Sequence, residues 1–173
     1  MSDRLNHECG LALIRLLKPL EFYQKKYGSA TYGLNKLYLM LEKQHNRGQD
    51  GAGFASVKLN MSPGQRFMHR ERSANQNPIQ EIFKLANENL TNYTKKHPKF
   101  KVNITNLKKN VPHVSEVFLG HVRYGTFGQN SKDAVHPFLR QNNWMHRNLI
   151  VAGNFNMTNN NQMFEFRIYF GLG

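Results

Sequence analysis

A chain of 173 residues with 39% hydrophobic and 12% aromatic content is long enough for one domain with its own core, which excludes a wholly disordered protein. Lysine and arginine number 24 against 11 acids, a net charge of +13, but the basic residues are scattered, without aromatic interleaving, zinc-finger spacing or basic heptads. A solvated basic surface is therefore expected ahead of a nucleic-acid interface. No apolar stretch approaches the roughly 18 residues of a membrane span, and Met1 to Glu8 lacks the apolar segment of a secretory signal, so with one unpaired cysteine the expected location is the cytoplasm.

Leu11 to Leu17 reads as a buried strand, nearly all apolar and stopped by Lys18-Pro19. Leu34, Leu37, Tyr38, Met40 and Leu41 recur at spacings of three and four, which predicts an amphipathic helix over Tyr32 to Gln44. The polar turn His45 to Gly53 holds three glycines in six residues, Gly48, Gly51 and Gly53. That density implies tight curvature or close approach of another group, although a plain surface loop has the same composition. A strand is expected from Phe54 to Leu59, then a turn at Ser62-Pro63-Gly64 and a hairpin partner around Arg66 to Arg70. Pro78 opens a helical pattern carried by Ile79, Ile82, Phe83, Leu85, Ala86 and Leu90.

Residues 92–112 are read as a long, mobile, basic insertion with few apolar anchors and some further helix around Ile104 to Leu107. Order returns in the strand Glu116 to Tyr124, which runs into a glycine-punctuated turn with Arg123 at its exit. Leu149 to Ala152 is a short buried strand, followed by an asparagine-dense turn from Gly153 to Asn159 and a last helix from Met163.

Cys9 is the only cysteine, so it can form neither an internal disulfide nor a thiolate metal cage. It is either a small buried hydrophobe at a strand head or a reactive thiol. If Met1 to Glu8 were removed, its α-amine, with an ordinary pKa of about 7.7 to 8.0, would lie beside the sulfur and could accept the thiol proton.

Four stretches stand in order: Cys9-Gly10 before a strand, His45 to Gly53, Gly120-His121-Val122-Arg123-Tyr124, and Ala152 to Asn159. Together they resemble the class II glutamine amidotransferase domain, an N-terminal nucleophile hydrolase, and most closely that of the amidophosphoribosyltransferases. The resemblance implies an α+β fold, a four-layer αββα sandwich, here expected to be incomplete at its C-terminus. It divides the chain into a leader, 1–8, and an amidotransferase domain, 9–173.

It also implies roles. Cys9 would be the nucleophile and, through its own amine, the base. Asn154 and the backbone N–H of Phe155 would hold the oxyanion, Phe155 standing where the family has glycine. Arg123 would grip the α-carboxylate of glutamine, with Thr126 a neighbouring substrate contact. Arg47, Gly48 and Asp50 would support the nucleophile from below, and His45, His121 and His136 would be structural. The family's aspartate for the α-ammonium has no counterpart after Asn159, with Asp133 the nearest candidate downstream of Arg123, and the phosphoribosyltransferase domain is also absent, so a truncated domain is expected. No cofactor is implied, since one cysteine cannot hold a four-iron cluster. L-Glutamine is the implied ligand, and neither a nucleic acid nor a membrane is; an oligomer is left open. The competing readings are an inactive amidotransferase remnant that binds a partner and, from charge alone, a basic nucleic-acid-binding module.

Overall fold

The computed structural model describes residues 8–98, 103–125, 131–154 and 162. The centre is a four-stranded antiparallel sheet of β1 (Gly10–Arg15), β2 (Gly51–Val57), β3 (Met68–Ser73) and β4 (Val117–Arg123) in the order β1-β4-β2-β3. Alternation along the strands puts Ala12, Ile14, Ala52, Phe54, Phe118 and Val122 on one face. Against that face lie α2 (Tyr32–Lys43) and α3 (Pro78–Lys96), through Leu34, Leu37, Leu41, Ile79, Ile82, Phe83 and Ala86. Phe54 stacks on Phe83 with centroids 5.0 Å apart. Gly120 belongs to this face, where a Cβ would sit 2.9 Å from Leu37; the missing side chain lets α2 settle on the sheet.

Across the other face runs the chain at 135–137. A Cβ on Gly51 would meet Val135 at 2.8 Å, and one on Gly53 would strike the His136 carbonyl. Arg72 donates to the Val135 carbonyl at 3.0 Å and Arg70 to that of Pro137 at 3.4 Å. This segment leads into a second, two-stranded antiparallel sheet, β5 (Phe138–Arg140) and β6 (Leu149–Val151). The fold is thus α+β with antiparallel sheets.

Several sequence expectations need correction. The first strand is not buried on both faces: Ala12 is enclosed, while Leu11 is 44% and Leu13 65% exposed, because β1 is an edge strand and only its helix-side face is covered. Nor is β6 buried, Leu149 being 55% exposed. The stretch 92–112 is better anchored than its charge suggests. α3 continues into it as far as Lys96, and α4 (Ile104–Asn110) follows, with the Asn103 side chain accepting from the Asn106 N–H at its start. Ile104, Leu107, Val111 and Val114 close a second apolar cluster with Leu16, Leu20 and Ala30. Leu20 comes from α1 (Leu20–Tyr27), an unexpected helix bounded by Pro19 and by Gly28 in the left-handed region, φ 70°. The helix expected from Met163 lies outside the described residues. No helix among the described residues is long and apolar enough to cross a membrane.

Candidate active site

Cys9 immediately precedes β1, and the antiparallel pairing of Gly10 with Val122 brings it against the exit of β4. Its thiol is half-buried, not enclosed, and Sγ donates to the Tyr124 carbonyl oxygen at 3.9 Å. The buried-hydrophobe reading of this cysteine therefore does not hold. Gly10 has no room for a side chain, since a Cβ would fall 2.5 Å from Gln44 Oε1 and 2.6 Å from Val122. Gln44 Nε2 in turn donates to the Leu11 carbonyl at 3.3 Å, a support for the strand head that sequence spacing alone did not single out.

The glycine-rich turn is built by close approach. A Cβ at Gly48 would lie 2.6 Å from the backbone of Arg123, so only glycine lets the turn lie flat on the end of β4. Asp50 then clamps that end from two sides. Its N–H donates to the Arg123 carbonyl at 3.0 Å, and its Oδ2 accepts from the Gly125 N–H at 2.7 Å. The clamped residues flank Tyr124, whose carbonyl faces the Cys9 thiol. Arg47 is exposed in the 3-10 turn 45–47; Gly48 and Asp50 pack this turn against the end of β4.

Arg123 ends β4 opposite Gly51 and is only 6% exposed. It lies near His121 and His136, and its charge helps to disfavour their protonation. Burial first, then the neighbouring His136, pushes His121 down to about 4, while burial likewise lowers His136. A histidine held that low is a poor proton acceptor near neutrality, which fits the expectation that these rings are structural. His121 and His136 meet edge to face at 4.8 Å, and His136 meets Phe138 at 4.4 Å. The Gly153 N–H points to His136 Nδ1 at 3.5 Å. The asparagine turn is therefore tied back to β4 through two imidazoles, with Asn154, exposed, the next residue. His136 as this tether was not legible in sequence, because its contacts with His121 and Gly153 join residues well separated along the chain.

Asp133 is engaged elsewhere: it is exposed and pairs with Arg72 at 3.5 Å. Thr126 and Phe155 lie outside the described residues. Among those described, the structure brings Cys9, Gly48, Asp50 and Arg123 together at one end of the sheet.

Comparison with known families bears on this end of the molecule. The family model described as Glutamine amidotransferases class-II matches residues 47–168, well over half of the chain, and the chain belongs to that family. Glutamine is accordingly its substrate class, and hydrolysis of the side-chain amide the family's reaction. The matched span contains Gly48, Asp50, Arg123 and Asn154 but begins after Cys9, whose position follows from the pairing of β1 with β4. Neither the curated proteins nor the solved structures gave a match.

Proposed function

We propose that this chain is the glutaminase unit of an amidophosphoribosyltransferase-type enzyme, with the four-layer N-terminal nucleophile fold, acting in the cytoplasm in the first step of purine synthesis. The observation that carries the reading is the meeting of the lone thiol with the Asp50-clamped end of β4, one residue beyond Arg123. Glu8 is exposed, which leaves the Glu8–Cys9 bond accessible for removal of residues 1–8. The freed amine of Cys9 takes the thiol proton, and the thiolate attacks the amide carbon of glutamine. The resulting oxyanion is held by the Asn154 side-chain amide and the Phe155 N–H, donors of the kind worth about 2.7 to 4 kcal/mol each. Ammonia departs with the proton carried by the amine, leaving a thioester on Cys9. Water, deprotonated by the same amine, then releases glutamate and the free thiol. Arg123 supplies a planar fork for the α-carboxylate, with Thr126 beside it. A phosphoribosyltransferase domain would consume the ammonia.

The test is release of glutamate and ammonia from glutamine by the wild-type chain and by Cys9→Ala. Turnover in the wild type that vanishes in the variant supports the reading. Turnover that survives Cys9→Ala refutes the mechanism, and absence of turnover in a processed wild type would favour a binding domain that has lost catalysis.

A further inference from the structure

A concave site lies at the end of the same strands opposite to Cys9. β1 begins beside Cys9 and ends at Arg15, five residue steps on, which is roughly 17 Å at about 3.4 Å per residue. Where β1 leaves the sheet, α1, α4 and the loop after β2 enclose a cleft of about 640 Å³, within the range of small-molecule sites. Its wall carries Arg15, Lys18, Lys108 and Lys109 against two carboxylates, Glu21 and Glu116.

Glu116 has little charge to spare for the cleft. It is ion-paired with Lys108, and its Oε2 accepts from the Leu59 N–H at 3.0 Å. Lys108 also donates to the Leu59 carbonyl at 2.7 Å, so the pair is a fixed floor. Behind it sits Lys58, only 2% exposed. Burial, then the charge of Lys108, lowers Lys58 to about 8, so it is still mostly protonated near neutrality. Arg15, Lys18 and Lys109 are exposed around the opening, and among the described residues that line it Glu21 is the acid left to oppose them. Among the described lining residues four cations face two carboxylates, while Leu16, Leu20 and Ile104 of the second apolar cluster give the same cleft a non-polar wall.

We propose that this cleft binds a small molecule carrying a phosphate or polyphosphate group, with Arg15, Lys18 and Lys109 contacting the anion and the apolar wall accepting the remainder. A single carboxylate would offset one of these cations, whereas a phosphate ester carries about 1.5 to 2 negative charges and three acceptor oxygens. The site is independent of the glutamine chemistry and does not rest on it.

Titration of the full chain with inorganic pyrophosphate, followed by calorimetry at about 150 mM salt to screen exposed charges, tests the assignment. Saturable binding is expected, weakened about tenfold or more by Lys18→Ala/Lys109→Ala, which is about 1.4 kcal/mol or more. Both lysines are exposed, so the fold is not at stake. The matched charge removal Lys25→Ala/Lys26→Ala, on α1 but outside the cleft, should leave the affinity unchanged. Equal weakening by both pairs would reduce the effect to net charge and overturn the proposal, as would no saturable binding. Phosphatidic-acid vesicles or a short single-stranded oligonucleotide binding where pyrophosphate does not would also overturn it, in favour of a membrane or nucleic-acid surface.

Discussion

The two faces of the central sheet are made of different materials. The helix-side face is packed mainly with Phe54, Phe118, Val122 and the apolar stripes of α2 and α3, which need only size and period to form. The opposite face carries Gly51 and Gly53, Arg70 and Arg72, His121 and Arg123, and it is completed by the chain at 135–137 through backbone carbonyls and an edge-to-face pair of imidazoles. The first face holds the protein together, and on the function proposed above the second, with the strand ends that border it, carries the chemistry. Damage to the two should therefore be separable.

The largest effect is expected from Phe54→Ala, which opens a cavity in the helix-side core at a residue with no exposure. Truncation of a buried phenylalanine costs about 3 to 5 kcal/mol, readable as a fall in the urea midpoint with an unchanged denaturant slope. Asn154→Ala is the converse. The side chain is exposed, so stability should hold, while removal of an oxyanion donor lowers kcat for glutamine about 10² to 10³-fold. A matching loss of stability would mean that the asparagine turn is structural.

Acid should damage both faces. Burial, followed by the charges of Lys58, His113 and Arg66, pushes His69 on the helix side down to about 3, and His121 on the opposite side stands at about 4. Both folded values lie below the unfolded value of about 6.5. Their contribution is therefore fully present above that pH and is lost as pH falls toward 3 to 4, because the unfolded chain takes up the protons first. At pH 5 each histidine should have removed about 2 kcal/mol relative to neutral pH. His69→Gln should flatten the dependence by about one histidine's share, and an unchanged slope would contradict the assignment.

Gly53→Ala should cost about 1 to 3 kcal/mol, the range for overpacking a tight site. The added methyl would press on the His136 carbonyl and displace the chain that carries the imidazole tether. Glutaminase activity should fall with stability here, unlike in Phe54→Ala measured well below its midpoint.

The same division explains what could be read from sequence. α2 and α3 declare themselves because their apolar residues repeat at three and four, and β2, β3 and β4 because their runs are bounded by Gly, Pro and Ser. α1 was legible in principle from Pro19 and Gly28, but Glu21, Gln24, Lys25 and Lys26 dilute its apolar pattern. In residues 92–112 the lysines obscure three anchors, Ile104, Leu107 and Val111, that matter only once Leu16 and Leu20 supply partners. β5, at three residues, is too short for any period to register, whereas the apolar run of β6 marked it as a strand without showing that it lies exposed. At the active end, Cys9, Gly48, Asp50 and Arg123 stood out by residue type and order. Gln44 did not, and His136 stood out only as a structural ring, since each acquires its role from a contact distant in sequence.

The most direct measurement of the central claim is the intact mass of protein isolated from cells, before and after exposure to a glutamine-derived diazoketone. Chains that begin at Cys9 and take up a single label on its sulfur are the predicted result. Protein that retains Met1 to Glu8 and still hydrolyses glutamine would contradict it, because the amine that serves as the base would then be locked in a peptide bond.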